Sequence, residues 1–69
     1  MGHPTWRVWA SNYSGAKYLV ASLDSEAESI NWRNEHGVYD DFAQCWVKRN
    51  DRTQQLTITA HDNVDTSSQ

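Results

Sequence analysis

The fold is decided by one stretch, DSEAESINWRNEHG at residues 24–37, which carries the signals for both ends of a helix. Either of its first two residues can cap the helix start, and the second, a serine, would form a reciprocal capping box with Glu28. Acidic residues in the first turn and basic residues near the last suit the helix dipole. Gly37 can adopt the left-handed conformation that ends many helices. We therefore predict a helix over about residues 25–36.

The predicted helix has a narrow apolar face that can lie on a sheet. On a period of 3.6 residues, this stripe comprises Leu23, Ala27, Ile30 and Asn34. Trp32 falls off the stripe, where a tryptophan needs a loop or a partner to cover it. Trp32 is therefore a candidate partner-binding residue, and the alternative is packing against Tyr13, Tyr39 or the chain end.

A pair of strands is predicted on each side of this helix. Before it, residues 5–11 alternate between two side-chain sets, residues 17–22 favour a strand, and a polar connection with a glycine joins them. After it, residues 42–48 alternate, residues 56–61 show the strictest alternation in the chain, and residues 49–54 form a polar turn. The order β-β-α-β-β predicts an α+β fold, a four-stranded, mainly antiparallel sheet with the helix on one face.

The predicted core lies between the helix and this sheet. Its members are Val8, Ile30, Ala43, Cys45, Val47, Leu56, Ile58 and Ala60, with Trp6 beside Val8. We expect a single domain over residues 1–61, and the polar residues 62–69 to be a disordered tail.

Length and composition limit the class of protein. The chain has 69 residues, which fits one domain, and its four Trp, three Tyr and one Phe supply large apolar surfaces. A single cysteine, Cys45, excludes a disulfide scaffold and favours a reducing cytoplasm. The first residues lack the pattern of a signal peptide, and no run approaches the ~18 apolar residues of a membrane span. We therefore expect a cytoplasmic protein without a membrane segment.

The sheet face that a single helix leaves open is the main candidate surface. If the predicted core residues face the helix, the alternation turns Arg7, Trp9, Trp46 and Lys48 to the other side. Tryptophan and arginine dominate the energies of protein interfaces. Aromatic and basic side chains on an open sheet also stack bases and neutralise phosphates in single-strand binding folds. These four residues and Trp32 are the predicted partner-binding set, unless the tryptophans instead extend a minor core.

Three functions are compatible with such a face. The first is a non-enzymatic binding module that acts through contact with a protein partner. The alternative is a single-stranded nucleic-acid-binding or small regulatory protein, and the third is a homodimer that joins two open faces. The net charge of −3 argues against binding mainly by phosphate neutralisation. The acidic helix and the loop after it could also steer an electropositive partner.

Catalytic and metal chemistry find little support in the sequence. Cys45 with His36 or His61 has the composition of a nucleophile and base, but Cys45 is predicted on the apolar side of a strand, where thiols are inert packing. The histidines and the cysteine lack the spacing of a metal site. The three glycines are isolated, so there is no phosphate-binding loop. We predict no catalytic residue, no metal site and no cofactor.

The organisation of the chain resembles that of a class of small proteins. A hairpin, a capped helix that begins within SLDSEAES at residues 22–29, a glycine stop and a second hairpin follow one another. This layout is similar to that of many accessory proteins of phages and mobile elements, including some anti-CRISPR proteins. The resemblance covers about residues 5–61, transfers no functional residue, and implies a compact inhibitor or adaptor.

Overall fold

The computed structural model describes residues 4–61, which form an antiparallel sheet with a helix on one face. The elements are β1 (Thr5–Ser11), β2 (Lys17–Leu23), α1 (Glu26–His36), β3 (Gly37–Asp40), β4 (Cys45–Lys48) and β5 (Asp51–His61). The strand order in the sheet is β2-β1-β5-β4-β3. In this part of the chain, no helix has the length and apolar character needed to cross a membrane.

The α+β class, the helix and the antiparallel sheet are confirmed, but the predicted four strands are wrong because the sheet has five. The additional strand is β3, which pairs with β4 in a segment where no strand was predicted. The third predicted strand is shortened, since residues 41–44 form a turn in which Gln44 has a φ of 58°. The last strand begins at Asp51 rather than Leu56. A four-residue edge strand is too short for alternation to reveal it.

The predicted helix is confirmed, with Ser25 as its N-cap. The backbone N–H of Glu28 donates to the Ser25 hydroxyl oxygen at 3.2 Å, and that hydroxyl lies 3.2 Å from the Glu28 carboxylate. The side chains of the predicted capping box therefore contact each other directly. These bonds satisfy one of the N–H groups that a helix start leaves without an internal partner.

Gly37 ends the helix for a different reason from the one predicted. Its φ of −126° is extended rather than left-handed, and its N–H donates to the Arg33 carbonyl oxygen. A Cβ at this position would lie 2.7 Å from Leu56 Cδ1 and 2.9 Å from the carbonyl oxygens of Arg33 and Val47. Glycine is needed here because the backbone approaches its neighbours closely.

The core is centred on Val8, Ala10 and Leu56, which are buried between the sheet and α1. Partly buried apolar side chains pack around them, namely Val20, Ala21, Leu23, Trp32, Trp46 and Ile58. Of the predicted core, Val8, Val47 and Leu56 are buried. Trp6, Ile30, Cys45 and Ile58 are half-buried, whereas Ala43 and Ala60 are exposed, so these two assignments are wrong. The predicted tail at residues 62–69 lies outside the described residues.

The helix presents a different face to the sheet from the predicted stripe. Ala27 and Asn34 are exposed, whereas Ser29 is 0% exposed. The Ser29 hydroxyl donates to the Glu26 carbonyl oxygen at 2.7 Å, so its polar atom is satisfied within the helix. A hydropathy pattern counts a serine as polar, although this one is fully buried. Trp32, three residues further on, shares its face and packs against the core.

Candidate partner-binding site

The five predicted partner-binding residues fall in three places. Arg7 and Trp9 lie on the uncovered face of the sheet, since they alternate along β1 with residues buried under α1. Trp32 and Lys48 line one cavity at the end of the helix. Trp46 lies beneath the helix. The structure thus brings Arg7 together with Trp9 and Trp32 together with Lys48, but it places the two pairs on opposite sides of the sheet.

The predicted orientation of β4 is inverted. The Arg33 guanidinium of α1 lies over the Trp46 ring, 4.2 Å from its centroid, so Trp46 faces the helix rather than the open side. Lys48 lies two residues further along and shares that side. Val47, predicted to face the helix, is 3% exposed on the opposite side. Each set of alternating residues in this strand is partly apolar, so the period alone did not decide which one faces the core.

The open face of the sheet carries a defined cluster around Trp9, which we call the open-face patch: Arg7, Trp9, Lys17, Leu19, Thr57 and Thr59. The register pairs Trp9 of β1 with Leu19 of β2 and with Thr57 of β5. The indole Nε1–H of Trp9 donates to the Thr59 hydroxyl oxygen at 2.8 Å. The Lys17 ammonium lies 5.2 Å from the centroid of the Trp9 ring. The indole is therefore held by a hydrogen bond and by a cation–π contact.

Charge is segregated between this patch and the rest of the chain. Neither β1 nor β2 contains an Asp or Glu, and in β5 the sole acid is its first residue, Asp51. The other acids of the described residues lie in α1, just before it, and around the β3–β4 turn. The open-face patch therefore carries the positive charges of Arg7 and Lys17 in a chain of net charge −3. Leu19, 46% exposed, adds apolar surface beside them.

A cavity of about 410 Å³ lies on the helix side of the sheet, and we call it the helix-end cavity. Its lining residues are Val20, Trp32, Glu35, His36, Lys48, Arg49 and Asn50. The rings of Trp32 and His36 stack with centroids 4.2 Å apart and an angle of 25° between their planes. His36 Nδ1 lies 3.0 Å from the Trp32 carbonyl oxygen, and since a carbonyl can only accept, Nδ1 carries the hydrogen.

The turn between β4 and β5 is held by a carboxylate. The Thr53 hydroxyl donates to Asp51 Oδ1 at 2.6 Å, and the Gln54 amide donates to Oδ2 at 3.2 Å. These bonds hold the pKa of Asp51 below its usual value, and the bond from Thr53 has the largest effect. The positive charge of Lys48 lowers this pKa further, by a smaller amount. Hydrogen bonds to the ionised form have this effect because protonation would weaken them.

Cys45 and His36, the pairing that found little support in the sequence as a nucleophile and base, line different cavities. Cys45 is a half-buried free thiol in a cleft that also contains Ser11 and Gln55, whereas His36 lines the helix-end cavity. Within residues 4–61, no three His, Cys, Asp or Glu side chains are grouped so as to hold a metal ion.

Several residues of these surfaces were not predicted from the sequence. Lys17, Leu19 and Thr59 join Trp9 only through the pairing of three strands, which alternation within one strand does not reveal. His36 was not predicted to belong to a binding surface. Its stacking on Trp32 follows the helical spacing of four residues, a signal that was present in the sequence.

Comparison with known proteins adds no further assignment. No protein-family model, no curated protein and no solved structure matches the chain. The function is therefore inferred from the two surfaces themselves.

Proposed function

We propose that the chain is a non-enzymatic binding module that acts through protein–protein contact, with the open-face patch as its contact surface. The observation that carries this proposal is the open-face patch itself, which contains no acid and in which Trp9 lies with two cations and an exposed leucine. Among the described residues one helix packs on the sheet, and it covers the other face.

The geometry of Trp9 suits an interface anchor. Tryptophan and arginine are enriched among the residues that contribute most to protein binding. The bond to Thr59 already orients the indole, so less side-chain freedom is lost when a partner binds. Arg7 makes no hydrogen bond or ion pair with another described residue, so its guanidinium remains available to a carboxylate.

The charge of the patch specifies the partner. A surface with two cations and no acid attracts an acidic surface and repels a basic one. We therefore propose a partner protein that presents carboxylates around an apolar centre. The resemblance in organisation to small phage and mobile-element proteins favours the role of an inhibitor or adaptor, and the single thiol suits a cytoplasmic setting.

A second function, binding of single-stranded nucleic acid, is favoured by the same cations. One contact counts against it, because the Lys17 ammonium lies over the Trp9 ring and a stacked base would have to displace it. The dependence of the binding affinity on salt concentration distinguishes the two functions. Between about 50 and 200 mM salt, binding through several phosphates weakens by orders of magnitude, whereas a contact with a large apolar part changes much less.

The test is affinity capture from the native host with mass spectrometry, with and without nuclease, using matched variants. We expect Trp9→Ala and Arg7→Gln to lose the captured protein, and Phe42→Ala and Arg52→Gln to retain it. Phe42 is 99% exposed and Arg52 pairs with Asp40, and neither residue belongs to the patch. For the isolated partner, Trp9→Ala should weaken binding by about 2 kcal/mol or more. Capture that survives both patch variants would refute the proposed surface, and capture abolished by nuclease would favour nucleic acid.

The homodimer is tested separately by sedimentation of the chain at micromolar concentration. A dimer that Trp9→Ala dissociates would show that the open-face patch joins two copies. A monomer under these conditions would leave the patch available for a different protein.

A further inference from the structure

The helix-end cavity has the dimensions of a ligand site. Its volume of about 410 Å³ falls within the range of roughly 300 to 1,000 Å³ typical of pockets for small molecules. It lies on the helix side of the sheet, whereas the open-face patch lies on the other side. Any binding here therefore uses a surface separate from the one proposed for the protein contact.

Both walls of the cavity are held in place by hydrogen bonds. The backbone N–H of Arg49 donates to the His36 carbonyl oxygen at 3.1 Å. The Arg49 Nη2 group donates to the carbonyl oxygens of Asn34 and Gly37, each at 3.1 Å. The β4–β5 turn is thereby attached to the end of α1, so the wall that carries the charges is fixed relative to the wall that carries the rings. A preformed site loses less freedom on binding.

The aromatic wall is formed by the rings of Trp32 and His36, which stack on each other, and the bond from His36 Nδ1 to the Trp32 carbonyl oxygen fixes the imidazole. Val20 adds an apolar side chain to the same cavity. A planar aromatic body is the ligand shape that gains most from such a wall, since offset stacking and edge contacts add to the apolar area that is buried.

The charged wall is cationic. Lys48 and Arg49 contribute two positive charges, and Glu35 contributes one negative charge. The Lys48 ammonium makes no hydrogen bond or ion pair with a described residue, although its charge acts on the nearby Asp51 carboxylate. Arg49 donates to carbonyl oxygens at the helix end rather than to a carboxylate. Among the side chains that line the cavity, the charges therefore sum to one positive charge, which favours an anion.

We infer that the helix-end cavity binds a small organic anion with a planar aromatic body, whose ring lies against Trp32 and His36 and whose anionic group lies at Lys48 and Arg49. Aromatic carboxylates and mononucleotides share this chemistry. The Arg49 guanidinium, held at the helix end, and the Lys48 ammonium, which makes no hydrogen bond to a described residue, supply the two donors for a carboxylate or phosphate.

The first experiment titrates the nitrogen-15-labelled full chain with three compounds and follows the indole N–H signals by NMR, assigned with single Trp→Phe variants. The compounds are 2-naphthoate, the neutral 2-naphthamide of the same shape, and adenosine monophosphate. We expect 2-naphthoate to shift the Trp32 signal and not that of Trp9, with a Kd on the order of 1 mM. The amide should bind about three- to fivefold more weakly.

The two anions distinguish between aromatic carboxylates and mononucleotides as the class of ligand. Binding of adenosine monophosphate that shifts Trp32 more strongly than 2-naphthoate does would assign the site to mononucleotides, and the reverse would assign it to aromatic carboxylates. If neither anion shifts Trp32, or if 2-naphthoate and 2-naphthamide bind equally well, the inference is overturned.

The second experiment uses charge variants with effects of opposite sign. Lys48→Gln should weaken 2-naphthoate binding about three- to fivefold, and Glu35→Gln should strengthen it by a similar factor. Lys17→Gln on the open face and Glu26→Gln at the helix start are the matched controls, and neither should change the Kd. Glu35 is exposed, so its variant tests the charge without disturbing the core. No change in either test variant, or the same direction of change in both, would contradict an anion site.

Discussion

The sheet has a long half and a short half, and they are held together by different means. In the long half, β1 pairs with β5 continuously from Thr5↔His61 to Ser11↔Gln55, and β2 pairs along the other side of β1. In the short half, β4 and β3 have four residues each. The register of β4 on β5 comprises Val47↔Gln55 and Lys48↔Asp51, with a bulge between them.

Side chains compensate for this short ladder. Arg33 of α1 lies over Trp46, Arg49 binds the helix end, and Arg52 reaches Asp40 at 3.6 Å. The buried apolar cluster belongs to the long half. Backbone pairing and apolar burial therefore stabilise the long half, whereas contacts with the helix position the short half. Each of the following predictions tests that division.

The largest effect is expected at Gly37, where the short half meets the core. In Gly37→Ala the Leu56 methyl group can rotate away, but the carbonyl oxygens of Arg33 and Val47 can move only if the helix end or β4 moves. We expect a loss of about 3 kcal/mol of unfolding free energy, measured by urea denaturation.

Gly15→Ala is the matched control for this variant. Gly15 has a φ of +90° with no atom within 4 Å of the added Cβ, so only backbone strain of about 1 kcal/mol applies. If Gly37→Ala costs no more than Gly15→Ala, the close approach at the helix end does not limit stability.

The next effect is expected at the contact that ties the β4–β5 turn to the helix. Arg49→Gln removes the guanidinium bonds to Asn34 and Gly37 and keeps the backbone bond to His36. Charge-assisted bonds of this kind contribute more than neutral ones, so we expect a loss of about 1.5 kcal/mol. Arg52→Gln, which breaks an exposed ion pair, should cost less than about 0.5 kcal/mol by the same measurement. Equal losses in the two variants would contradict a special role for the helix end.

The same division explains what the sequence could predict. The helix followed from the signals at Ser25 and Glu28. The two longest-paired strands followed from alternation over residues 5–11 and 56–61, although β5 begins earlier than predicted. The orientation of the short β4 did not, because both of its faces carry apolar side chains and a shift of one residue exchanges them. The burial of Ser29 could not be predicted from its polarity, because its hydroxyl group donates a hydrogen bond within the helix and therefore needs no water.

The candidate surfaces show the same difference between the long and the short strands. Arg7 and Trp9 were placed on the open face correctly, because they belong to a long strand whose buried set is clear. Trp46 and Lys48 were placed on the wrong side, because they belong to the short one.

A smaller effect is expected at Arg33, where two contributions offset each other. Its guanidinium lies on the Trp46 ring, which stabilises the fold, but its Nε atom is buried without a hydrogen-bond partner, which destabilises it. Arg33→Met keeps the aliphatic packing and removes both contributions, each of about 1 kcal/mol. We expect a net change below about 0.5 kcal/mol in urea denaturation, and a loss above 1.5 kcal/mol would show that the cation–π contact dominates.

The smallest effect is expected in acid, at the turn that joins the two halves. The pKa of Asp51 is lowered by bonds from Thr53 and Gln54, so its ionised form stabilises the folded state above the unfolded pKa of about 3.8. This contribution is lost as the pH falls below that value through the lower folded pKa. The unfolding free energy of Asp51→Asn should therefore fall less steeply between about pH 4 and pH 2 than that of the unmodified chain. Asp41→Asn, in the turn of the short half, is the matched variant, and an equal flattening by both would show that the Thr53 and Gln54 bonds do not set the acid response.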